Sequence, residues 1–286
     1  MYTSIRKPFV AGQFYPSDHD DLLDEIKRHF LSKLGPGKLP ESKESFTGKL
    51  VGIVAPHAGY IYSGPIAAHG YYEMALSGKP DLVFILGPNH HAFGDPIALS
   101  SYDAWETPLG TVKIDKNISK EIIQRSGIVS IDDRAHMYEH SIEVQIPFLQ
   151  FIFGSDISIV PVSMLLQNPE SSKILGEAIA SIILEHRLKA YVVASSDFSH
   201  YVESRIAKKK DYLAISKILD LDYKGLFDVV IENDISMCGP GPVMTLMVVA
   251  KEIDVEKGVL LKYASSGDVT GDYSSVVAYA SIAFYK

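Results

Sequence analysis

The sequence has one cysteine, fewer cations than anions and no long apolar run, and each shortage removes a class of protein. A single cysteine in 286 residues excludes an internal disulfide framework and suits a reducing compartment. Lysine and arginine number 27 against 35 aspartates and glutamates, a formal net charge of −8. A surface that binds nucleic acid through its phosphates needs clustered cations instead. The one basic run, Lys208-Lys209-Lys210, reads as the solvated end of a helix. No stretch approaches the roughly 20 apolar residues of a membrane-spanning helix, and the opening Met1-Tyr2-Thr3-Ser4-Ile5-Arg6-Lys7 lacks the apolar core of a secretory signal. The expectation is a cytoplasmic protein with neither a nucleic-acid nor a membrane partner. The glycine-rich patterns GxGxxG, GxxxxGK[ST] and GxSxG are missing too, which argues against nucleotide binding and a serine nucleophile elbow.

What is present is a globular chain, 47% hydrophobic. Ser17 or Asp18 can cap a helix reaching about Leu34, with Leu22, Leu23, Ile26 and Phe30 on one face. Residues 35–48 read as an exposed linker. Short apolar runs then alternate with helix-like stretches. Strand-like runs fall at 50–54, 82–86, 157–162 and 190–194, and helix-like stretches at 64–76, 171–186, 203–219 and 240–252. Continuous apolar strands separated by helices imply a sheet covered on both faces. Residues 95–114 read as short excursion strands, and 260–264 with 276–284 as an antiparallel pair at one side. The expected fold is one α/β domain spanning residues 1–286, with a mixed, mostly parallel central sheet and helices on both faces.

The chemistry-bearing residues cluster just past the strand-like runs, where open α/β sheets build their sites. His57 follows Val51–Val54 in Pro56-His57-Ala58-Gly59, and His90 follows Val83–Leu86 in Pro88-Asn89-His90-His91. They can converge if their strands are neighbours, and neutral imidazole is the commonest metal ligand. Successive residues of an extended loop point to opposite sides, which favours His90 over His91. Asp197 and His200 lie in Ser195-Ser196-Asp197-Phe198-Ser199-His200 after a third run. His200 suits a general base, and Asp197 an orienting role; helix capping is the plain alternative for the Ser and Asp. The lone thiol, Cys238, precedes the helix-like stretch from Pro240. A helix N-terminus lowers a thiol pKa, which suits a soft metal ligand or a nucleophile, although a lone cysteine is commonly a small buried hydrophobe.

His136-Met137-Tyr138-Glu139-His140 matches the inverted zincin pattern HxxEH. On a helix, His136 and His140 would share a face and hold zinc with Glu139 as base. Pro147 would interrupt such a helix, no downstream partner carboxylate is evident, and the short pattern arises easily by chance. Glu139 and His140 remain candidates for polar lining of the pocket.

Ala-Pro-His57-Ala-Gly-Tyr, Leu86-Gly-Pro-Asn-His90-His, Glu139-His140-Ser-Ile-Glu143, Ser-Ser-Asp197-Phe-Ser-His200 and Cys238-Gly239, in this order, resemble the MEMO family. Phe14-Tyr15-Pro16 and the tail from Tyr263 are similar to it as well. The resemblance covers nearly the whole chain. It implies a fold like that of the LigB-type class III extradiol dioxygenases, non-haem iron enzymes whose metal sits on two histidines and a glutamate. It implies that His57 and His90 take the histidine positions and that Cys238 stands where the carboxylate is expected. His200 falls at the catalytic-base position, beside Asp197, and His140 near the other active-site histidine. A thiolate in place of a carboxylate softens the site, so iron, copper and zinc all fit the expectation, with iron or copper first. The implied function is a metal-binding redox protein of unknown substrate. A non-enzymatic adaptor that binds a small molecule, peptide or partner protein in the same cleft is the alternative, and a zinc hydrolase on His136, Glu139 and His140 a weaker one. The resemblance also points to AMMECR-type and radical SAM proteins as pathway partners.

Overall fold

A computed structural model describes residues 2–286. The chain runs β1 (Ile5–Arg6), α1 (His19–Leu31), β2 (Leu50–Ala55), α2 (Tyr60–Ser77), β3 (Leu82–Pro88), β4 (Ile97–Leu99), β5 (Ala104–Thr107), β6 (Gly110–Ile114), α3 (Lys116–Ser126), β7 (Ser130–Ile131), α4 (Ile146–Phe153), β8 (Ser158–Met164), α5 (Pro169–His186), β9 (Ala190–Ser195), β10 (His200–Val202), α6 (Ser204–Leu219), α7 (Tyr223–Glu232), α8 (Pro240–Glu252), β11 (Gly258–Ser265), α9 (Gly267–Thr270) and β12 (Val276–Tyr285). Asp18 caps α1 as its sequence context suggests, accepting from the amides of Asp20 and Asp21.

Five parallel strands form the centre of one sheet, in the order β6-β8-β3-β9-β2. At one end β12 joins β2 antiparallel, and β11 pairs antiparallel with β12. At the other end β5 joins β6 antiparallel and β1 joins β5 parallel. Residues 95–114 are thus more than an excursion, because β6 belongs to the parallel core and β5 extends it. The central strands are buried on both faces, which is why they read as continuous apolar runs. Along β3, Leu82, Phe84 and Leu86 pack toward α3, α5, α6, α7 and α8, while Val83 and Ile85 pack toward α1, α2 and α4. That alternation is the period of two of a strand. Each fully buried aliphatic side chain contributes about 1.5–3 kcal/mol, so these two clusters carry the fold.

The topology decides two points that the sequence leaves open. β2 and β3 are not neighbours; β9 runs between them and pairs with both. The segment from His136 to His140 is not a helix. A single 3-10 turn at Asp133–Ala135 precedes it, and the next α-helix, α4, begins only at Ile146 with Pro147 in its first turn, the position a proline tolerates.

Candidate functional site

The carboxyl ends of β2, β3 and β9 open on one edge of the sheet, and the imidazoles of His57 and His90 meet there, 5.1 Å apart between ring centroids. His140 joins them, 5.5 Å from His57 and stacked on His90 at 4.6 Å. One nitrogen from each of the three rings lies within 4.8 Å of the others. Cys238 approaches from the loop before α8, its Sγ 3.2 Å from Nε2 of His57. Gly239 makes that approach possible: a Cβ there would stand 2.4 Å from the Ser195 carbonyl oxygen, which no side chain tolerates.

Each imidazole is held from behind. His57 is buried, and its Nδ1 lies 2.8 Å from Ser195 Oγ at the tip of β9. Ser195 Oγ donates to the Ser141 carbonyl at 2.7 Å and accepts from Gln145 Nε2 at 2.8 Å. Gln145 is itself oriented, because its Oε1 accepts from the Tyr71 hydroxyl and its Nε2 also donates to the Pro56 carbonyl. His90 Nδ1 lies 2.9 Å from Glu139 Oε1. A carboxylate only accepts, so this nitrogen carries a proton, and Nε2 is the atom left to face the cleft. Glu139 also collects the backbone amides of His90, His140 and Ser141. Close approach between β3 and this segment needs Gly87, where a Cβ would meet Ser141 Oγ at 2.4 Å.

The electrostatics follow from burial. Desolvation opposes ionisation of Glu139, but the hydrogen bond from His90 and the nearby His90 and His140 rings prevail and bring its carboxyl down to about 2. Burial, then the other imidazoles, pushes His57 well below its ordinary value, and burial brings His140 down to about 4 against the opposing charge of Glu139. Both rings are therefore neutral, lone-pair-bearing imidazoles at pH 7. Asp197 is buried at the base of the cleft, where its Oδ1 accepts from the His57 amide at 2.8 Å. Burial raises its carboxyl to about 6.

Cys238 corrects its sequence reading. Burial, then the charge of Asp197, pushes its thiol far above the ordinary range, so the helix N-terminus does not make it an activated nucleophile by itself. Its Sγ accepts from the Asp197 amide at 3.2 Å, and a metal ion deprotonates a coordinating thiol outright. The three imidazoles of His57, His90 and His140 form the group whose spacing could hold a metal ion, and Cys238 lies against one of them, His57. Two ligands on a tetrahedral ion at about 2.3 Å (sulfur) and about 2.1 Å (nitrogen) stand about 3.5 Å apart, close to the separation of Cys238 and His57.

The remaining sequence candidates divide. His200 stands on β10 with its Nδ1 2.7 Å from the Ser236 carbonyl. That acceptor makes Nδ1 a protonated nitrogen. His91 is exposed at the rim, edge-on to Tyr138 at 6.3 Å, and forms a second ligand-type group with Glu139 and His140. His136 takes no part. It is fully buried, edge-on to Trp105, with Nε2 bonded to the Ala98 carbonyl, so the zinc-hydrolase arrangement on His136, Glu139 and His140 is not assembled. Ser195 stands in a segment the sequence singles out, but its bond to His57 does not show there, and nothing in the sequence marks Gln145 or Tyr71 as its supports.

Among the described residues no helix is long and apolar enough to cross a membrane. The structure is similar to an uncharacterized protein from Escherichia coli K12, with a TM-score of 0.55 and 12% identity over 82% of this chain and 99% of that one; at that identity the likeness speaks to fold alone. A chain from Sulfurisphaera tokodaii, described as a MEMO1 family protein, is 49% identical over 283 residues, 98% of this chain and 99% of its own length. A MEMO1 family protein from Desulfurococcus amylolyticus is 46% identical over 280 residues, 98% and 99% of the two chains. The family described as Memo-like protein matches residues 6–283, a span that includes every residue of the cleft: the chain belongs to the Memo family.

Proposed function

We propose that the cleft holds one iron or copper ion on His57, His90 and Cys238, and that the protein is a metal-dependent redox protein related in fold to the extradiol dioxygenases. The observation that carries this reading is the convergence of three imidazoles, His57, His90 and His140, with one nitrogen of each within 4.8 Å of the others, and the only thiol of the chain set 3.2 Å from the first of them. His57 and His90 each have Nδ1 held by a partner, Ser195 and Glu139, and each ring still places a nitrogen within 4.8 Å of the other and of His140; His136, by contrast, stands apart from this group with Nε2 on the Ala98 carbonyl. A bound iron or copper ion supplies electron transfer, and the thiolate favours these softer metals over a hard, all-oxygen cation.

The chain supplies the rest. Glu139 and Ser195 orient the two imidazoles. His140, neutral at pH 7, adds a third imidazole face and a proton acceptor beside them. Asp197, with its pKa near 6, holds a proton below that pH and a charge above it, at an atom one residue's reach from the thiol. His200 offers its free Nε2 as a base at the outer edge.

Protein purified anaerobically without a tag should carry close to one equivalent of iron or copper by mass spectrometry. His57→Ala and Cys238→Ser should each lose it. Metal-free protein, or metal retained in both variants, would overturn the reading.

A second reading has an observation of its own. Phe9, Phe93 and Tyr138 are 42%, 53% and 42% exposed and lie in ring contact around the rim, with Phe9 5.2 Å and Phe93 6.3 Å from Tyr138. Exposed aromatics beside a cleft suit a peptide or partner protein. A partner bound equally by metal-free protein and lost in Tyr138→Ala would favour this adaptor role.

A further inference from the structure

The two imidazoles are supported by unlike partners. Behind His90 stands a carboxylate, Glu139, which can only accept a proton-bearing nitrogen. Behind His57 stands the hydroxyl of Ser195, which could in principle either donate or accept. What decides is where the single hydroxyl proton of Ser195 goes. The Ser141 carbonyl lies 2.7 Å from Ser195 Oγ and can only accept, so it takes that proton. Gln145 cannot compete for it. Its Oε1 is already occupied by the Tyr71 hydroxyl at 2.6 Å, so its amide nitrogen is the atom turned to Ser195, donating at 2.8 Å. The remaining lone pair of Ser195 Oγ is left for His57.

We infer that Ser195 is a positioning residue that fixes the tautomer of His57: its hydroxyl proton is committed to the Ser141 carbonyl, so Nδ1 of His57 must carry the ring proton and Nε2 must present a lone pair toward Cys238. The Tyr71–Gln145 pair holds the serine in that role. All four groups are buried, so water is not at hand to substitute for a lost partner, and the tautomer is set by the hydrogen bond on the far nitrogen. His57 differs in this from His90, whose tautomer needs no relay. The contact depends on β9 pairing with β2: Ser195 ends β9 and reaches back to a histidine that follows β2.

The inference rests on the proposed ligand role of His57 only for its consequence for metal affinity; the tautomer itself is a property of the metal-free protein. The test uses full-length, metal-free protein labelled with nitrogen-15 at histidine. Long-range proton–nitrogen correlation spectra, assigned by loss of the signal in His57→Gln, should show His57 as the Nδ1-protonated form. Ser195→Ala should shift it toward the Nε2-protonated form, and Ser195→Thr, which keeps the hydroxyl, should restore it. Gln145→Met, which removes the amide donor and leaves the serine in place, should give a mixture. In a competition titration with copper(I), Ser195→Ala should bind about 10-fold more weakly, within the range for removing a ligand's supporting partner, and Ser195→Thr should recover.

An Nε2-protonated His57 in the unaltered protein would overturn the inference, and that measurement needs no variant to fold. An unchanged tautomer in folded Ser195→Ala would overturn it as well. Failure of the metal reading leaves the spectra intact, because no copper is present in them. Normal copper binding with a wrong tautomer removes the relay and leaves the metal reading standing.

Discussion

Two glutamates four residues apart, Glu139 and Glu143, are both fully buried and both collect several hydrogen-bond donors, yet they serve different ends of the molecule. Glu143 is tied to the N-terminal strap. It pairs with Arg6 at 2.7 Å and accepts from the amides of Phe9 and Val10 and from the Tyr15 hydroxyl. Arg6 in turn donates to the carbonyls of His136 and Glu139 and lies 4.2 Å over the Trp105 ring. Every contact of that knot is internal. Glu139 spends three backbone amides and one imidazole on the same task of satisfying a carboxylate, but the imidazole leaves its other nitrogen free in the cleft. Burial and saturation by hydrogen bonds therefore do not distinguish a structural carboxylate from one that supports a site. The distinction lies in whether a partner still has an unused atom facing open space.

The comparison can be broken in order of size. Glu143→Gln leaves the Arg6 guanidinium buried without its counter-charge, which costs about 3–5 kcal/mol. Urea unfolding should show that loss, and any protein that remains folded should bind metal normally; selective loss of metal with unchanged stability would erase the contrast. The next effect belongs to the same knot. His136 has a pKa of about 4 against an ordinary 6.5, lowered by burial and then by Arg6. Its folded-state value is depressed, so the unfolded chain binds the proton first. The stabilisation is complete above pH 6.5 and drains away as pH falls toward 4, by about 3 kcal/mol from 2.5 pKa units at about 1.36 kcal/mol each. His136→Gln should flatten that part of the acid limb, and a limb of unchanged slope would count against it.

On the cleft side, Glu139→Gln should weaken metal binding about 10- to 100-fold in whatever fraction of the protein remains folded. A large fall in stability with unaltered affinity would make Glu139 a second Glu143. The smallest effect is expected for Tyr15→Phe, which removes one donor from Glu143 among several. A hydrogen bond to a charged group is worth about 1.5 kcal/mol or somewhat more, and thermal unfolding should fall accordingly while metal binding stays the same.

Much of this was legible in the residues. The strands at 50–55, 82–88 and 190–195 were readable because they are buried on both faces and so are apolar throughout, and His57, His90 and Asp197 stand just beyond them. The helix α4 was not, because the polar sequence Glu143-Val144-Gln145 leading into it follows no helical period; its residues are fixed by Arg6, Tyr71 and Ser195 from elsewhere in the chain. The HxxEH match carries no weight because a five-residue pattern says nothing about backbone: His136 and His140 sit on an irregular segment and face different surroundings, Trp105 for one and Phe14 with the cleft imidazoles for the other. The strand order was beyond reach for a related reason. Which strand lies between β2 and β3 depends on pairing partners more than 100 residues away, and local periodicity carries no such information.

The thread of the sheet has a consequence for the newborn chain. Its pairs β3–β8, β3–β9 and β2–β9 are long-range, and long-range parallel pairing is the slow class of folding event. His57 and His90 leave the ribosome early, but the strand that separates them arrives about a hundred residues later, and Cys238 later still. During synthesis the two rings have no shared floor and no sulfur to meet, so a stray ion in the cell encounters only loose, isolated imidazoles. The cleft takes shape only after β9 and the loop before α8 have been made, well after both histidines have left the ribosome.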